Sequence, residues 1–200
     1  KNWSNIENGI EVDLVDFFES ERKEIKDTIN LCFIARLVKH QRPDVLIDAL
    51  SNIDKKEKIH LYLIGSGLEP IEEKLKNKIQ MTNLGFQNRA NMKTVLETMH
   101  IGIIAGSPEY QSTMKIFDYA AAKCAVIAPD ITNLTYWFND EVCFFDGSAR
   151  DLVDQLKLLI SDETLLNRYG LKLHEKIKKN FTWDKIYGNV ANILKQKLKQ

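Results

Sequence analysis

Residues 107–129 read SPEYQSTMKIFDYAAAKCAVIAP and combine a turn, the start of a helix and a following strand. Pro and Ser in the first part are typical of a turn, and the apolar spacing over residues 113–122 predicts a helix. Residues 124–128 form a continuous apolar run. A carboxylate, Asp118, lies within the predicted helix. This layout is typical of a site for the phosphate and ribose of a nucleotide.

The same alternation of strand and helix extends on both sides of this stretch. The predicted strands are residues 30–35, 59–64, 81–85, 101–105, 124–128 and 142–145, and the predicted helices are residues 44–53, 71–79, 91–99, 113–122, 149–160, 163–179 and 183–198. Near-continuous apolar strands that alternate with helices indicate a parallel sheet covered on both faces. We therefore predict an α/β protein: a Rossmann-like, doubly wound parallel sheet of about six strands with two C-terminal helices.

The chain length suits one such domain, because 200 residues lie within the range of a single α/β core. Residues 1–28 are less regular than the rest. We interpret residues 1–28 as a linker or an entry strand from a preceding N-terminal domain and residues 29–200 as the folded Rossmann-like domain.

The charge balance argues against nucleic acid as a partner. Lys plus Arg and Asp plus Glu number 28 each, so an anion site has to be local. No apolar run approaches the ~20 residues of a membrane span, and the three cysteines lie within apolar runs typical of buried, reduced thiols. We expect a soluble, cytoplasmic domain. The eight lysines between residues 172 and 199 could contact the inner face of an anionic membrane, although a solvated helix face also explains them.

Ligands of doubly wound sheets bind at the carboxyl ends of the strands, in the loops that lead into the helices. The first of these loops contains Arg36 and Arg42. A guanidinium at this edge suits bidentate contact with a phosphate, so both arginines are candidate phosphate ligands. A surface charge without a ligand is the alternative for each.

The helix predicted at residue 113 is a second candidate phosphate site. Ser112 suits the N-cap position, and the free N–H groups near Thr113 and Met114 would point toward an anion. Lys115 could meet the same phosphate from the first turn, or could be exposed to solvent.

Asp118 and Glu109 are the candidate acids of the site. Asp118 follows Ser112 by six residues, which is ~9 Å along a helix and matches the offset from a diphosphate to the ribose of one nucleotide. Glu109 lies in the preceding loop, where a carboxylate could bind sugar hydroxyls. A solvated helix Asp and a plain loop acid are the alternatives.

Gly65 and Gly67 follow a strand and precede a helix, where glycine allows a tight turn and close approach of N–H groups to an anion. An ordinary turn is equally consistent with the pattern, and the third glycine of a dinucleotide fingerprint is missing. The four histidines form no cluster and no D-x-D occurs, so we predict no metal ligands and a metal-independent site.

Several stretches, in order, resemble the C-terminal domain of retaining glycosyltransferases of the GT-B fold, family 4 (glycosyl transferases group 1). They are ENGIEVDLVDFF, IARLVKHQRPDVLIDAL, LYLIGSGLEPIEEKL, NLGFQNRANMKTVLETMHIGII, KIFDYAAAKCAVIAP and FTWDKI. The resemblance covers nearly the whole chain and implies one half of a GT-B fold.

The resemblance implies that Arg36 binds the donor phosphates and has a catalytic role, that Asp118 binds the ribose, and that Glu109 is the catalytic acid facing the sugar. This sequence departs from the family at three points. Gln41 stands where a second phosphate-binding Lys is usual, so that Arg42 or Lys39 would have to supply the charge. Asp118 replaces Glu, and its spacing from Glu109 is one residue longer than usual.

The implied function is transfer of a hexosyl group from a UDP- or GDP-linked sugar to an acceptor hydroxyl, with retention and without a cofactor. The implied partners are the nucleotide-sugar donor, the N-terminal GT-B domain of the full-length protein, and a sugar or lipid-linked acceptor. A nucleotide-sugar epimerase of the same fold and a non-catalytic nucleotide-sugar-binding module are the alternatives.

Overall fold

The computed structural model describes residues 6–18, 25, 27–54, 58–109 and 111–198. The strands in this part of the chain are β1 Ile29–Arg36, β2 Ile59–Ser66, β3 Gln80–Gly85, β4 Ile101–Ile103, β5 Ala125–Pro129 and β6 Cys143–Phe145. The α-helices are α1 Val12–Phe17, α2 Pro43–Ser51, α3 Glu69–Leu75, α4 Arg89–Leu96, α5 Lys115–Ala121, α6 Thr132–Phe138, α7 Ala149–Ser161, α8 Glu163–Asn180 and α9 Trp183–Lys197. None of these helices is long and apolar enough to cross a membrane.

The strands form one parallel sheet in the order β3-β2-β1-β4-β5-β6. This is the doubly wound order of dinucleotide-binding domains, and the predicted fold class is confirmed. The order reverses between β1 and β4. The crevice outside the carboxyl ends of these two strands is where such sheets bind ligands.

Each face of the sheet has its own hydrophobic core. Alternate β1 side chains point to opposite sides, so Leu31 and Phe33 lie in one core and Cys32 in the other. Residues of α2, α3 and α7 fill the first core, and residues of α1, α5, α6 and α9 fill the second. All three cysteines are buried, and none of them is in a disulfide, as predicted.

Two short helices were not predicted from the sequence. Within residues 1–28, the structure contains α1, and its Leu14 and Val15 are buried in the second core. Ile10 forms a parallel bridge with Thr182, directly before α9. The interpretation of this segment as irregular is therefore wrong for residues 12–17, whereas a preceding domain stays a prediction. Helix α6 was likewise missed, because no element was predicted between the strands at residues 124–128 and 142–145.

Tyr119 fills the gap where β1 and β4 separate. These strands pair only at Leu31 with Ile101 and at Cys32 with Gly102 within the described residues. Beyond this point the Tyr119 hydroxyl accepts a hydrogen bond from the Ile34 N–H (2.8 Å) and donates to the Cys32 carbonyl (3.1 Å). Burial raises the pKa of Tyr119 well above its usual range, so its hydroxyl keeps the proton it donates. Helix α5 is thereby joined to β1 at the edge where the strand order reverses.

Candidate functional site

Arg36 ends β1 and is exposed at the carboxyl edge of the sheet, as predicted. It lies beside Ser66 in the register of β1 and β2, and the Leu37 N–H donates to the Ser66 carbonyl (3.1 Å). Gly65 has a φ of 138°, and a Cβ at this position would overlap the Ala35 carbonyl oxygen. The contact between the strands therefore accounts for Gly65, while Gly67, with a φ of 73°, closes the turn beside Leu37.

Arg42 connects the loop after β1 with the loop after β4. Its backbone is left-handed, with a φ of 49°. The arginine side chain packs against Gly106, where any Cβ would overlap it. Its guanidinium forms an ion pair with Asp44 (3.0 Å). Arg42 thus lies at the crevice, but its charge is already paired with a carboxylate.

Lys115 places a positive charge beside the neutral side chain of Gln41, in the loop after β1. Its ammonium donates a hydrogen bond to Gln41 Oε1 and lies 5.6 Å from the centroid of the Phe33 ring. Burial lowers the pKa of Lys115 from its ordinary value of 10.5 to about 8. Neither Lys39 nor Arg42 makes this contact with Gln41, so α5 supplies a charge that we expected from the loop after β1.

Ser112 does not cap the helix, and this prediction is wrong. Helix α5 begins at Lys115, and Met114 occupies the N-cap position without a side-chain hydrogen bond. The Thr113 hydroxyl is instead hydrogen-bonded to the Ser107 hydroxyl (2.7 Å), within the loop. Met114 is 47% exposed. The predicted helical offset of ~9 Å from Ser112 to Asp118 therefore does not apply, because only the steps from Lys115 to Asp118 are helical.

Asp118 lies in the first turn of α5 and is held by a network that the sequence did not predict. Arg89 Nη1 contacts Asp118 Oδ1 at 2.5 Å, and Arg89 Nη2 contacts Glu11 Oε2 at 2.8 Å. Burial raises the pKa of Asp118, and the adjacent Arg89 opposes this shift. Arg89 is 29 residues from Asp118 and 78 from Glu11, so no local pattern could have connected them.

Glu109 faces a cavity at the same edge of the sheet. Its Oε1 accepts a hydrogen bond from the Thr132 hydroxyl (2.7 Å) at the start of α6. The cavity has a volume of about 650 Å³ and is lined by residues that include Glu109, Ser112, Trp137 and Trp183. Acidic, hydroxyl and aromatic side chains thus surround a space large enough for a monosaccharide.

Other candidate sites are less well supported. A larger cavity, of about 1120 Å³, lies around Ile59 and Gln80, at the amino ends of β2 and β3 and away from the crevice. His174 is buried against the carbonyls of Ala120 and Ala121, and His100 accepts a hydrogen bond from the Asn30 N–H (2.9 Å). No group of three potential metal-ligating side chains occurs among residues that the structure describes.

Comparison with known proteins agrees with this arrangement. The family described as glycosyl transferases group 1 matches residues 16–181. An uncharacterized glycosyltransferase of Methanocaldococcus jannaschii is 26% identical over 192 residues, which is 88% of this chain and 48% of that protein. The chain therefore spans about half the length of this relative.

Solved structures match the fold at lower sequence identity. HepE of Anabaena, in complex with UDP and glucose, has a TM-score of 0.77 and 13% identity, over 96% of this chain and 56% of HepE. Sucrose-phosphate synthase of Thermosynechococcus elongatus has a TM-score of 0.78 and 14% identity, over 97% of this chain and 52% of the synthase. Since the family match extends over most of the sequence, the chain belongs to the glycosyl transferases group 1 family.

Proposed function

We propose that this chain is the nucleotide-sugar-binding half of a retaining glycosyltransferase that transfers a hexosyl group from a UDP- or GDP-sugar to an acceptor hydroxyl. The observation that carries the proposal is the convergence of α5 with the loop after β1. Lys115 contacts Gln41 there, and Asp118 follows one helical turn later. A cation and a carboxylate at this spacing suit the diphosphate and the ribose of one nucleotide.

The cations of the crevice would stabilise the leaving group. When the bond from the anomeric carbon breaks, its electron pair stays on the diphosphate, whose negative charge increases. In this proposal, Arg36 and Lys115 meet that charge, and such pre-positioned charges are a major source of rate enhancement. We infer that they take the part that a divalent metal plays elsewhere, and that the donor binds without a metal.

The sugar of the donor would occupy the cavity beside Glu109. Its carboxylate and the Thr132 hydroxyl can hydrogen-bond sugar hydroxyls, and Trp137 offers an apolar face. In this proposal, Glu109 is the acid that faces the transferred sugar. The acceptor, a sugar or a lipid-linked sugar, would be bound mainly by an N-terminal domain of the full-length protein.

Isothermal titration calorimetry with UDP and GDP tests the donor site. Because the HepE structure contains UDP, UDP is the first ligand to try. We expect saturable binding of one of the two, and Arg36→Ala should weaken it by ~1.5–3 kcal/mol, as for other hydrogen bonds to charged groups. Arg168→Gln, on the exposed face of α8, is the control. No binding of either nucleotide, or unchanged affinity in folded Arg36→Ala, would contradict the proposal.

Chelator tests metal independence in the same measurement. EDTA should leave the affinity unchanged, because the side-chain cations remain. A loss of affinity that magnesium or manganese restores would overturn the charge-neutralising role of Arg36 and Lys115.

A non-catalytic donor-binding module is the second candidate. The sequence spacing from Glu109 to Asp118 favours it, because this spacing is one residue longer than is usual in the family. Release of free UDP or GDP from the sugar donor in the presence of acceptor, measured on the full-length protein, distinguishes a transferase from such a module.

A further inference from the structure

We propose that Arg89 is the positioning residue of the ribose acid: it holds Asp118 in place and thereby determines how strongly the nucleoside part of the donor is bound. This inference rests on the proposed donor site and adds a residue to which that proposal assigns no role. Arg89 itself does not touch the donor in this arrangement. It acts through Asp118.

Arg89 is held from two sides. It is the first residue of α4, and the preceding Asn88 caps that helix by accepting a hydrogen bond from the Asn91 N–H (2.9 Å). One arm of the guanidinium contacts Asp118 on α5, and the other contacts Glu11 directly before α1. Because the guanidinium is planar and rigid, these two contacts fix the direction from which Asp118 is approached.

The contact leaves Asp118 able to bind a ligand. Arg89 engages Oδ1, and the second carboxylate oxygen, with its two lone pairs, remains for the ribose hydroxyls. The Asp118 side chain is only 18% exposed, whereas those of Arg89 and Glu11 are 52% and 60% exposed. Exposed ion pairs contribute little, but a largely buried carboxylate depends strongly on a cation in direct contact with it.

The protonation state of Asp118 gives this role a measurable signature. To accept both ribose hydroxyl protons, the acid has to be ionised. Burial raises its pKa, Arg89 lowers it, and Glu11 raises it, while Lys115 lies one turn earlier on the same helix. Without Arg89, Asp118 takes up its proton at a higher pH. The affinity for a nucleotide should then be lost at a higher pH as the solution is acidified.

The test compares Arg89→Gln, Arg89→Lys and Asp118→Asn with wild type, with Arg168→Gln as the matched control. Calorimetry measures UDP, GDP and inorganic pyrophosphate between pH 5 and 9. Arg89→Gln should bind the preferred nucleotide about tenfold more weakly, as for loss of a charge-assisted contact, with pyrophosphate nearly unchanged. On acidification, Arg89→Gln should lose its nucleotide affinity at a higher pH than wild type. Arg89→Lys should recover part of both the affinity and the wild-type pH profile. The Asp118→Asn curve, which lacks this pH-dependent loss, corrects for titration of the ligand.

Each outcome decides the matter. If Asp118→Asn loses nucleotide affinity while Arg89→Gln keeps both the affinity and the pH profile of wild type, the inference is overturned and the donor site stands. Tighter nucleotide binding by Arg89→Gln also overturns it, since Arg89 would then be competing with the ribose. An equal loss for pyrophosphate places Arg89 in the phosphate site or the fold instead. If wild type binds neither nucleotide, the donor site itself is wrong.

Discussion

Lys115 is a residue at which ligand binding and stability oppose each other. Its ammonium is partly buried between Gln41 and the Phe33 ring, with no carboxylate among the partners found in the described residues. Burying a charge in this way costs free energy in the absence of an anion. A bound diphosphate would offset this loss of free energy, because it would provide a negative charge next to the amine and raise the pKa of Lys115.

We therefore predict that Lys115→Met increases stability and abolishes nucleotide binding. At pH 7 the free energy of unfolding should rise by ~1–2 kcal/mol, since each unit of pKa depression corresponds to ~1.4 kcal/mol and the lost Gln41 contact offsets part of the gain. Urea unfolding and calorimetry measure the two effects. Lys157→Met, on the exposed face of α7, is the control. A less stable variant that still binds UDP or GDP would show that the ammonium of Lys115 neither destabilises the fold nor binds the nucleotide.

The pH dependence has a definite sign. The folded-state pKa of Lys115, about 8, lies below the ordinary value of 10.5, so the unfolded chain binds this proton more tightly between the two values. The contribution of Lys115 to stability therefore becomes more favourable as pH rises from about 8 to 10.5. The stability difference between wild type and Lys115→Met should narrow over the same range.

Single residues were predictable where a strand end or a motif marked them. Arg36 follows an apolar strand, and Asp118 lies within a helix that resembles a family motif, so both could be named. Arg89 and Glu11 could not, because their role depends on α1 and α4 meeting α5 in space. The contact of Lys115 with Gln41 was hidden for the same reason, since it spans 74 residues.

Helix α5 owes its placement to the pair of Tyr119 and Gly102. The Tyr119 ring packs where a Cβ on Gly102 would be, and the Tyr119 hydroxyl is hydrogen-bonded to β1. Asp118 and Lys115 are on the same short helix, one and four residues before Tyr119. The position of both side chains, which we propose to bind the donor, therefore depends on the buried contacts of Tyr119 in the same helix.

We predict that Gly102→Ala lowers both stability and nucleotide affinity. The added methyl group has to displace the Tyr119 ring, and overpacking of this kind typically costs ~1–3 kcal/mol. Gly188→Ala is the matched control, because nothing lies within 4 Å of a Cβ there and the position is helical. That control should be more stable by ~0.5–1 kcal/mol. Thermal unfolding and calorimetry follow both variants, and a harmless Gly102→Ala would contradict this account of α5.

Helices with long periodic patterns were predicted most closely, whereas two short helices were missed. Helix α7 and helix α8 begin at the predicted residues, and each has a side-chain N-cap. Helix α5 begins at Lys115, two residues after the predicted start. The Thr113 hydroxyl is hydrogen-bonded to Ser107, and this contact holds Thr113 within the loop before the helix. Helices α1 and α6 have six and seven residues, too few to show a clear period.

At the scale of the whole molecule, we propose that the chain forms one side of a cleft. The residues that we propose to bind the donor all lie at the carboxyl edge of one sheet. The alternating elements predicted a doubly wound parallel sheet but not the order of its strands. The chain corresponds to 56% of HepE and 48% of the relative from Methanocaldococcus jannaschii. A two-domain transferase would complete the cleft with residues outside this chain.

We predict that the chain alone binds the nucleotide sugar without transferring the sugar. Transfer requires donor and acceptor in near-attack geometry, a proximity effect of up to ~7–11 kcal/mol that one side of a cleft cannot supply in full. Calorimetry should show saturable binding, and chromatographic detection of labelled sugar should show no acceptor-dependent product. The full-length protein is the positive control. Robust transfer by the 200-residue chain would locate the acceptor site within it.

The two tryptophans that line the cavity beside Glu109 should allow ligand binding to be followed by intrinsic fluorescence. Trp137 and Trp183 line that space, and Trp183 stacks on Tyr187 with ring centroids 5.6 Å apart. Indole emission depends on the water around the ring, so a sugar that displaces water should shift the emission to shorter wavelength. UDP-glucose should produce this shift and UDP alone a smaller one, with Trp137→Phe and Trp183→Phe each reducing the response. Equal responses to the two ligands would place the sugar elsewhere. A larger response to UDP-glucose would allow sugar donors to be compared by fluorescence titration of the unlabelled protein.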